Sequence, residues 1–138
     1  MIYVLCLHDA LFPQHGDQRF TSPHFMLTHL KSRACSRYRL VERYDPALDA
    51  WEAVAPMATA RATSSAAVLG GKLYAMGGGD NDQLSSVERY DPALDAWEAV
   101  APMGEERSRP GVAVLNDGKL YAVGGYSGDD ALSSVERY

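Results

Sequence analysis

One passage of this chain occurs twice without change. Val41–Met57 reads VERYDPALDAWEAVAPM, and Val87–Met103 repeats it letter for letter 46 residues later. The last four residues, Val135–Tyr138, open a third copy. A fixed period of this size marks an array of supersecondary units, each too small to bury its own apolar face and therefore stacked on its neighbours.

Each unit divides into four short runs separated by turn residues. In the unit that is present throughout, the runs are Ala66–Leu69, Lys72–Met76, Ser85–Tyr90 and Ala96–Ala101. The first ends in Gly70-Gly71, the second in Gly77-Gly78-Gly79, the third in Asp91-Pro92 and the fourth in Pro102. In the next unit the first turn is Asn116-Asp117-Gly118, a strong hairpin signal. The apolar spacing is not 3.6, and no run is long enough for a packed helix. Four antiparallel strands per unit describe one blade of a β-propeller.

The residues at fixed places in each unit carry a family resemblance. A glycine pair follows the second strand (Gly77-Gly78, Gly124-Gly125), a tyrosine stands three residues before it (Tyr74, Tyr121), and a tryptophan lies in the fourth strand (Trp51, Trp97). With Leu84–Pro92 and the Ala-Pro-Met endings, residues 39–138 resemble the kelch repeat, in the version found in kelch-like adaptor proteins. The expected fold is all-β: a partial kelch propeller of about two and a quarter four-stranded blades. Its expected parts are strands C and D over 39–57, a full blade over 58–103, and strands A to C over 104–138. The glycines should let neighbouring blades approach. Trp51 and Trp97 should fill the wedge between blades, and Tyr74 and Tyr121 should tie their hydroxyls to backbone. Glu88 and Arg89, adjacent on one strand and so on opposite faces, should each pair with another blade.

Residues 1–38 are expected to form an atypical extension, disordered or poorly packed. They hold both cysteines, all four histidines and all three phenylalanines. Residues 1–40 carry a net charge of +3 against −8 for the rest. Only Ile2–Leu5 looks like a second blade strand, and it lacks the glycine pair after it. The cysteines and histidines fit no closed zinc spacing, so no metal or cofactor is expected. No apolar run approaches the ~20 residues of a membrane helix, and the expected location is cytoplasmic. The formal net charge of −5 speaks against nucleic acid or an anionic membrane as a partner.

In a four-stranded meander, turns alternate between two ends. The D–A and B–C loops share one end and differ between units, so recognition is expected there. Arg61, Arg107, Arg109 and Tyr126 are the candidate partner-binding residues. The resemblance implies that such arginines grip acidic peptides, and a guanidinium fork suits a carboxylate. The competing reading is that Arg61 and Arg107 brace a loop or pair with Glu105, Glu106 or Asp80. Gly77–Asp82 lacks the residues of a phosphate or calcium loop. The resemblance implies a non-enzymatic protein-interaction module, like the substrate-recognition propeller of cullin ubiquitin ligase adaptors but without BTB and BACK regions. Alternatives are a kelch-type enzyme (an oxidase or sugar epimerase) and a gene fragment without independent function. The oxidase reading finds no histidine or cysteine in the repeats. Open blade edges make self-association a further expectation.

Overall fold

The structure is a computed structural model that describes residues 2–5, 39–79 and 82–138. The described residues are all-β. The first sheet takes the order β1-β2-β3, from Ile2–Leu5, Val41–Asp45 and Ala50–Val54. The second holds β4 (Ser65–Leu69), β5 (Lys72–Met76), β6 (Val87–Asp91) and β7 (Ala96–Val100) in sequence order. The third is built from β8 (Gly111–Val114), β9 (Leu120–Val123) and β12 (Val135–Arg137) in the order β12-β9-β8. A small hairpin, β10 (Tyr126–Ser127) and β11 (Asp130–Ala131), fills the B–C loop of the third sheet.

Pairing is antiparallel throughout, and the register repeats from sheet to sheet. Met76 faces Val87 and Tyr74 faces Arg89; Val123 faces Val135 and Tyr121 faces Arg137. In the first sheet Leu5 faces Val41 and Tyr3 faces Arg43. Ile2–Leu5 therefore occupies the second-strand slot of the first blade, against the expectation that residues 1–38 form an atypical extension outside the repeats. This blade begins well before residue 39, and the rest of the 1–38 extension lies outside the described residues.

The third strand of the full blade starts at Val87, two residues later than its apolar pattern suggests. Ser85 and Ser86 still bond across to the flanking segments: the Ser86 carbonyl accepts from the Gly77 N–H at 3.1 Å and the Ser85 carbonyl from the Met103 N–H at 2.9 Å.

The core is made at the blade junctions. Tyr74, Met76, Val87 and Met103 of the second blade and its exit pack with Leu120 and Ala122 of the third, flanked by Val112 and Tyr138. Val41 and Met57 close on Ala75, with Val54 and Trp97 against them. Alternation along each strand supplies both sets: Leu73 and Ala75 point to one face, Tyr74 and Met76 to the other. Tyr74 and Tyr138 meet edge to face across the junction, with ring centroids 5.9 Å apart.

Trp97 fills the wedge as expected, donating from Nε1 to the Ala55 carbonyl at 2.8 Å. Asp95 strengthens this junction. It accepts from the Ala55 N–H at 2.9 Å and from the Tyr90 hydroxyl at 2.7 Å, and these bonds hold its carboxyl below the usual range. Trp51 stacks beside Tyr44 of its own sheet, with ring centroids 5.2 Å apart, and remains 37% exposed.

Four expectations about side chains are corrected. Trp51 is not enclosed between blades among the described residues, and Glu88 pairs with Arg61 of its own blade. The Tyr121 hydroxyl donates to the Asp117 carboxylate at 2.8 Å and not to backbone, which pushes the tyrosine pKa up. Arg89 pairs with Glu98 on the neighbouring strand of its own sheet, where the antiparallel register sets them opposite.

Candidate functional site

The unlike loops gather at one end of the blades and are bonded to one another. Gly79 N–H donates to the Ala62 carbonyl at 2.8 Å, and Arg109 N–H to Thr63 at 2.9 Å. Ser108 and Tyr126 exchange a pair of backbone bonds, both 2.9 Å. Gln83 clasps Gly128 from the adjacent blade: its amide donates to the carbonyl at 3.0 Å, and its side-chain oxygen accepts from the N–H at 2.8 Å. The D–A and B–C loops of two blades thus form one continuous surface.

The glycine pair makes this closeness possible. Gly77 and Gly78 have φ of 62° and 82°, a region that other residues enter at a cost. A Cβ on Gly77 would lie 2.2 Å from the Arg107 carbonyl oxygen, and one on Gly78 would lie 2.4 Å from that of Ala62. Gly125 approaches Ser108 in the same way. Gly124 is looser, with the Leu132 carbonyl 3.2 Å from its virtual Cβ.

Arg61 and Arg107 do not face a partner. They are 1% and 0% exposed. The Arg61 guanidinium donates to Glu88 from Nε at 3.2 Å and Nη2 at 3.0 Å, to the Gly77 and Ser86 carbonyls at 2.9 Å each, and to Ser86 Oγ at 2.9 Å. Glu88 also accepts from the N–H groups of Ala58 and Thr59 at 2.7 and 3.1 Å. Arg107 repeats the pattern on Glu136, the Gly124 and Ser134 carbonyls and Ser134 Oγ. It also pairs with Glu105 at 2.8 Å, as the loop-bracing reading allowed. Both arginines are clamps that fix the entry of a blade to its third strand. Burial alone would raise the Glu136 carboxyl. The Gly104 N–H, the Arg107 guanidinium and the Glu105 N–H more than offset that and bring it below its ordinary value.

Arg109 and Tyr126 do reach the surface. Arg109 is exposed, on a backbone with φ of 52°, and Tyr126 is 44% exposed. Thr63, the counterpart of Arg109 in the previous unit, takes the same left-handed conformation at φ 54°. Asp82, Glu106, Asp129 and Asp130 are exposed on this surface as well. Asp80 lies outside the described residues. With Arg61 and Arg107 sunk into the blades, the exposed charge here is mainly negative. Among the described residues, no group of three or more His, Cys, Asp or Glu side chains converges as a metal site. Nor is any helix there long and apolar enough to cross a membrane.

The Kelch motif family matches residues 60–104 and 106–138, together more than half of the chain. The chain belongs to the kelch-repeat family. Among curated relatives, influenza virus NS1A-binding protein homolog B of Danio rerio is 53% identical over 49 residues, covering 34% of this chain and 8% of that protein. Kelch-like protein 1 of Mus musculus is 48% identical over 50 residues, covering 36% and 7% respectively. Kelch-like protein 5 of Homo sapiens is 55% identical over 40 residues, covering 29% and 5%. The kelch chain thus spans less than a tenth of these relatives' length at the matched segments. Among solved structures, that of YjhT superposes with a TM-score of 0.58 at 27% identity, over 63% of this chain and 28% of that one.

Proposed function

We propose that this kelch array is a non-enzymatic protein-interaction module that binds through its continuous loop surface, in the manner of the substrate-recognition propeller of kelch-like adaptors. The carrying observation is the bonded surface of unlike loops on a scaffold of repeated strands. Scaffold positions recur between units, and the loops that differ present Arg109, Tyr126 and the acidic side chains. Any role in a ubiquitin ligase would belong to a longer polypeptide that supplies the other regions, acting in the cytoplasm.

The charge of the surface sets the class of partner. Asp82, Glu106, Asp129 and Asp130 outnumber Arg109 among its exposed charges, so a basic peptide segment suits it better than the acidic one first expected. Tyr126 offers a flat apolar anchor of the kind that carries binding energy. Fluorescence anisotropy with labelled Lys/Arg-rich and Asp/Glu-rich decapeptides tests this. The basic probe should bind more tightly, weaken with salt, and lose affinity with Asp129→Asn plus Asp130→Asn and with Tyr126→Ala. Equal binding of both probes, or indifference to these substitutions, would defeat the proposal.

A further inference from the structure

The hairpin β10–β11 carries Tyr126 at its start and Asp129 and Asp130 past its turn. It pairs at two positions only, Tyr126 with Ala131 and Ser127 with Asp130, and so short a ribbon is not stable by itself. Two fastenings hold it. At the base, Ser108 and Tyr126 exchange their backbone bonds within the third blade. At the tip, the fastening comes from the second blade. The Gln83 amide donates to the Gly128 carbonyl at 3.0 Å, and the Gln83 side-chain oxygen accepts from the Gly128 N–H at 2.8 Å. This two-way exchange copies the hydrogen-bonded pair of an antiparallel ladder. The arm that makes it is well rooted: Gln83 is bridged to Gly79, and the next residue, Leu84, donates its N–H to the Gly78 carbonyl at 2.8 Å. The tip that it holds is open, with Gly128 exposed at φ 62°. The repeat does not supply this contact. Leu84 matches Leu132, so the counterpart of Gln83 is Ala131, which has no polar side chain.

We propose that Gln83 is a positioning residue for partner binding: it pins the hairpin tip, and with it Asp129, Asp130 and Tyr126, in the arrangement that receives a basic segment. This role rests on the reading of the loop surface as a binding face. A loose tip would have to be ordered by the partner, at the expense of affinity, whereas a pinned one is ordered before the partner arrives. Removing the pin lowers the fraction of chains ready to bind, and the apparent affinity falls by that fraction. Exposed hydrogen bonds set the fraction here. Gln83→Ala should therefore raise the dissociation constant of the Lys/Arg-rich decapeptide by about three- to tenfold, the span of one or two such bonds.

Stopped-flow anisotropy and amide hydrogen exchange on the full chain provide the test. In Gln83→Ala the basic probe should associate more slowly and dissociate at the parent's rate, because the bound surface is the same once formed. A side chain that gripped the partner itself would act on dissociation instead. Gln83→Met keeps the length of the arm without its amide and should match Gln83→Ala. In both variants the Gly128 N–H should exchange with solvent faster, while the amides of β5 and β6 keep their protection and the urea midpoint does not move. Unchanged exchange at Gly128 would overturn the clasp. Faster exchange with the parent's affinity, or a loss confined to dissociation, would overturn the positioning role and leave the loop surface standing. A parent chain that does not bind the basic probe would bring down both.

Discussion

Arg61→Ala should destabilise the chain by about 3–5 kcal/mol, the cost of leaving a buried charge without its partner. Arg61 and Glu88 have side chains 0% and 3% exposed, so water cannot replace the guanidinium. The Glu88 carboxylate would keep the N–H donors of Ala58 and Thr59, which places the cost in the lower half of that range. The Gly77 carbonyl would lose its guanidinium donor as well. Arg107→Ala removes the matching clamp, but its carboxylate partners are far more open: Glu136 is 28% and Glu105 50% exposed. Water can solvate both, and the cost should fall to about 1–3 kcal/mol. The gap of about 1.5 kcal/mol corresponds to a factor of roughly 10 in the unfolding equilibrium.

Urea titration followed by circular dichroism and tryptophan fluorescence would measure the gap as a shift in midpoint at constant slope. Arg61→Met combined with Glu88→Leu should be less harmful than Arg61→Ala alone, since no unpaired charge is left behind. The reasoning fails if Arg61→Ala stays within about 1 kcal/mol of the parent, the behaviour of an exposed binding arginine. It also fails if both alanine variants cost the same.

Gly77→Ala should cost several times more than Gly70→Ala. Both positions have positive φ, yet a Cβ at Gly77 meets backbone at 2.2 Å and one at Gly70 meets nothing within 4 Å. Thermal melts of the two variants should show about 1 kcal/mol for Gly70→Ala and at least twice that for Gly77→Ala. Stability should also fall in acid. Asp95 and Glu136 both have depressed carboxyl pKa values in the fold. Their contribution is complete above the unfolded value of about 4 and is lost as pH drops through the lower folded values. Denaturation midpoints should be flat from pH 7 to about 5 and decline below about 4. Asp95→Asn should flatten part of that decline, and an unchanged acid limb would contradict the Asp95 bonds.

Much of the fold was legible because the units repeat. The two copies of VERYDPALDAWEAVAPM form strands with the same register, and Asn116-Asp117-Gly118 turns β8 into β9 with Gly118 at φ 72°. The glycine pairs were read as places where neighbouring blades approach. Gly77 does meet the next unit, at the Arg107 carbonyl, whereas Gly78 and Gly125 meet the carbonyls of Ala62 and Ser108 in their own units. Ile2–Leu5 reads as part of the atypical extension because no Gly-Gly follows it, yet it pairs with β2 as a strand.

The candidate site was half legible, and the arginines show why. Arg61 and Arg107 stand in unlike loops, which suggested recognition. Yet they recur at one position in both units, as a scaffold residue should. That recurrence has a partner in sequence: the Ser-x-Glu of Ser86-Val87-Glu88 and of Ser134-Val135-Glu136 supplies the carboxylate, the hydroxyl and the carbonyl that each guanidinium uses. A cation that repeats in step with its own anion is structural, whereas Arg109, replaced by Thr63 in the other unit, breaks the pattern and reaches solvent. By the same logic, binding is expected wherever the two units disagree. The loops that differ carry the exposed acids Glu106, Asp129 and Asp130 beside Arg109 and Tyr126, and it is on these, not on the withdrawn arginines, that the proposed basic partner rests.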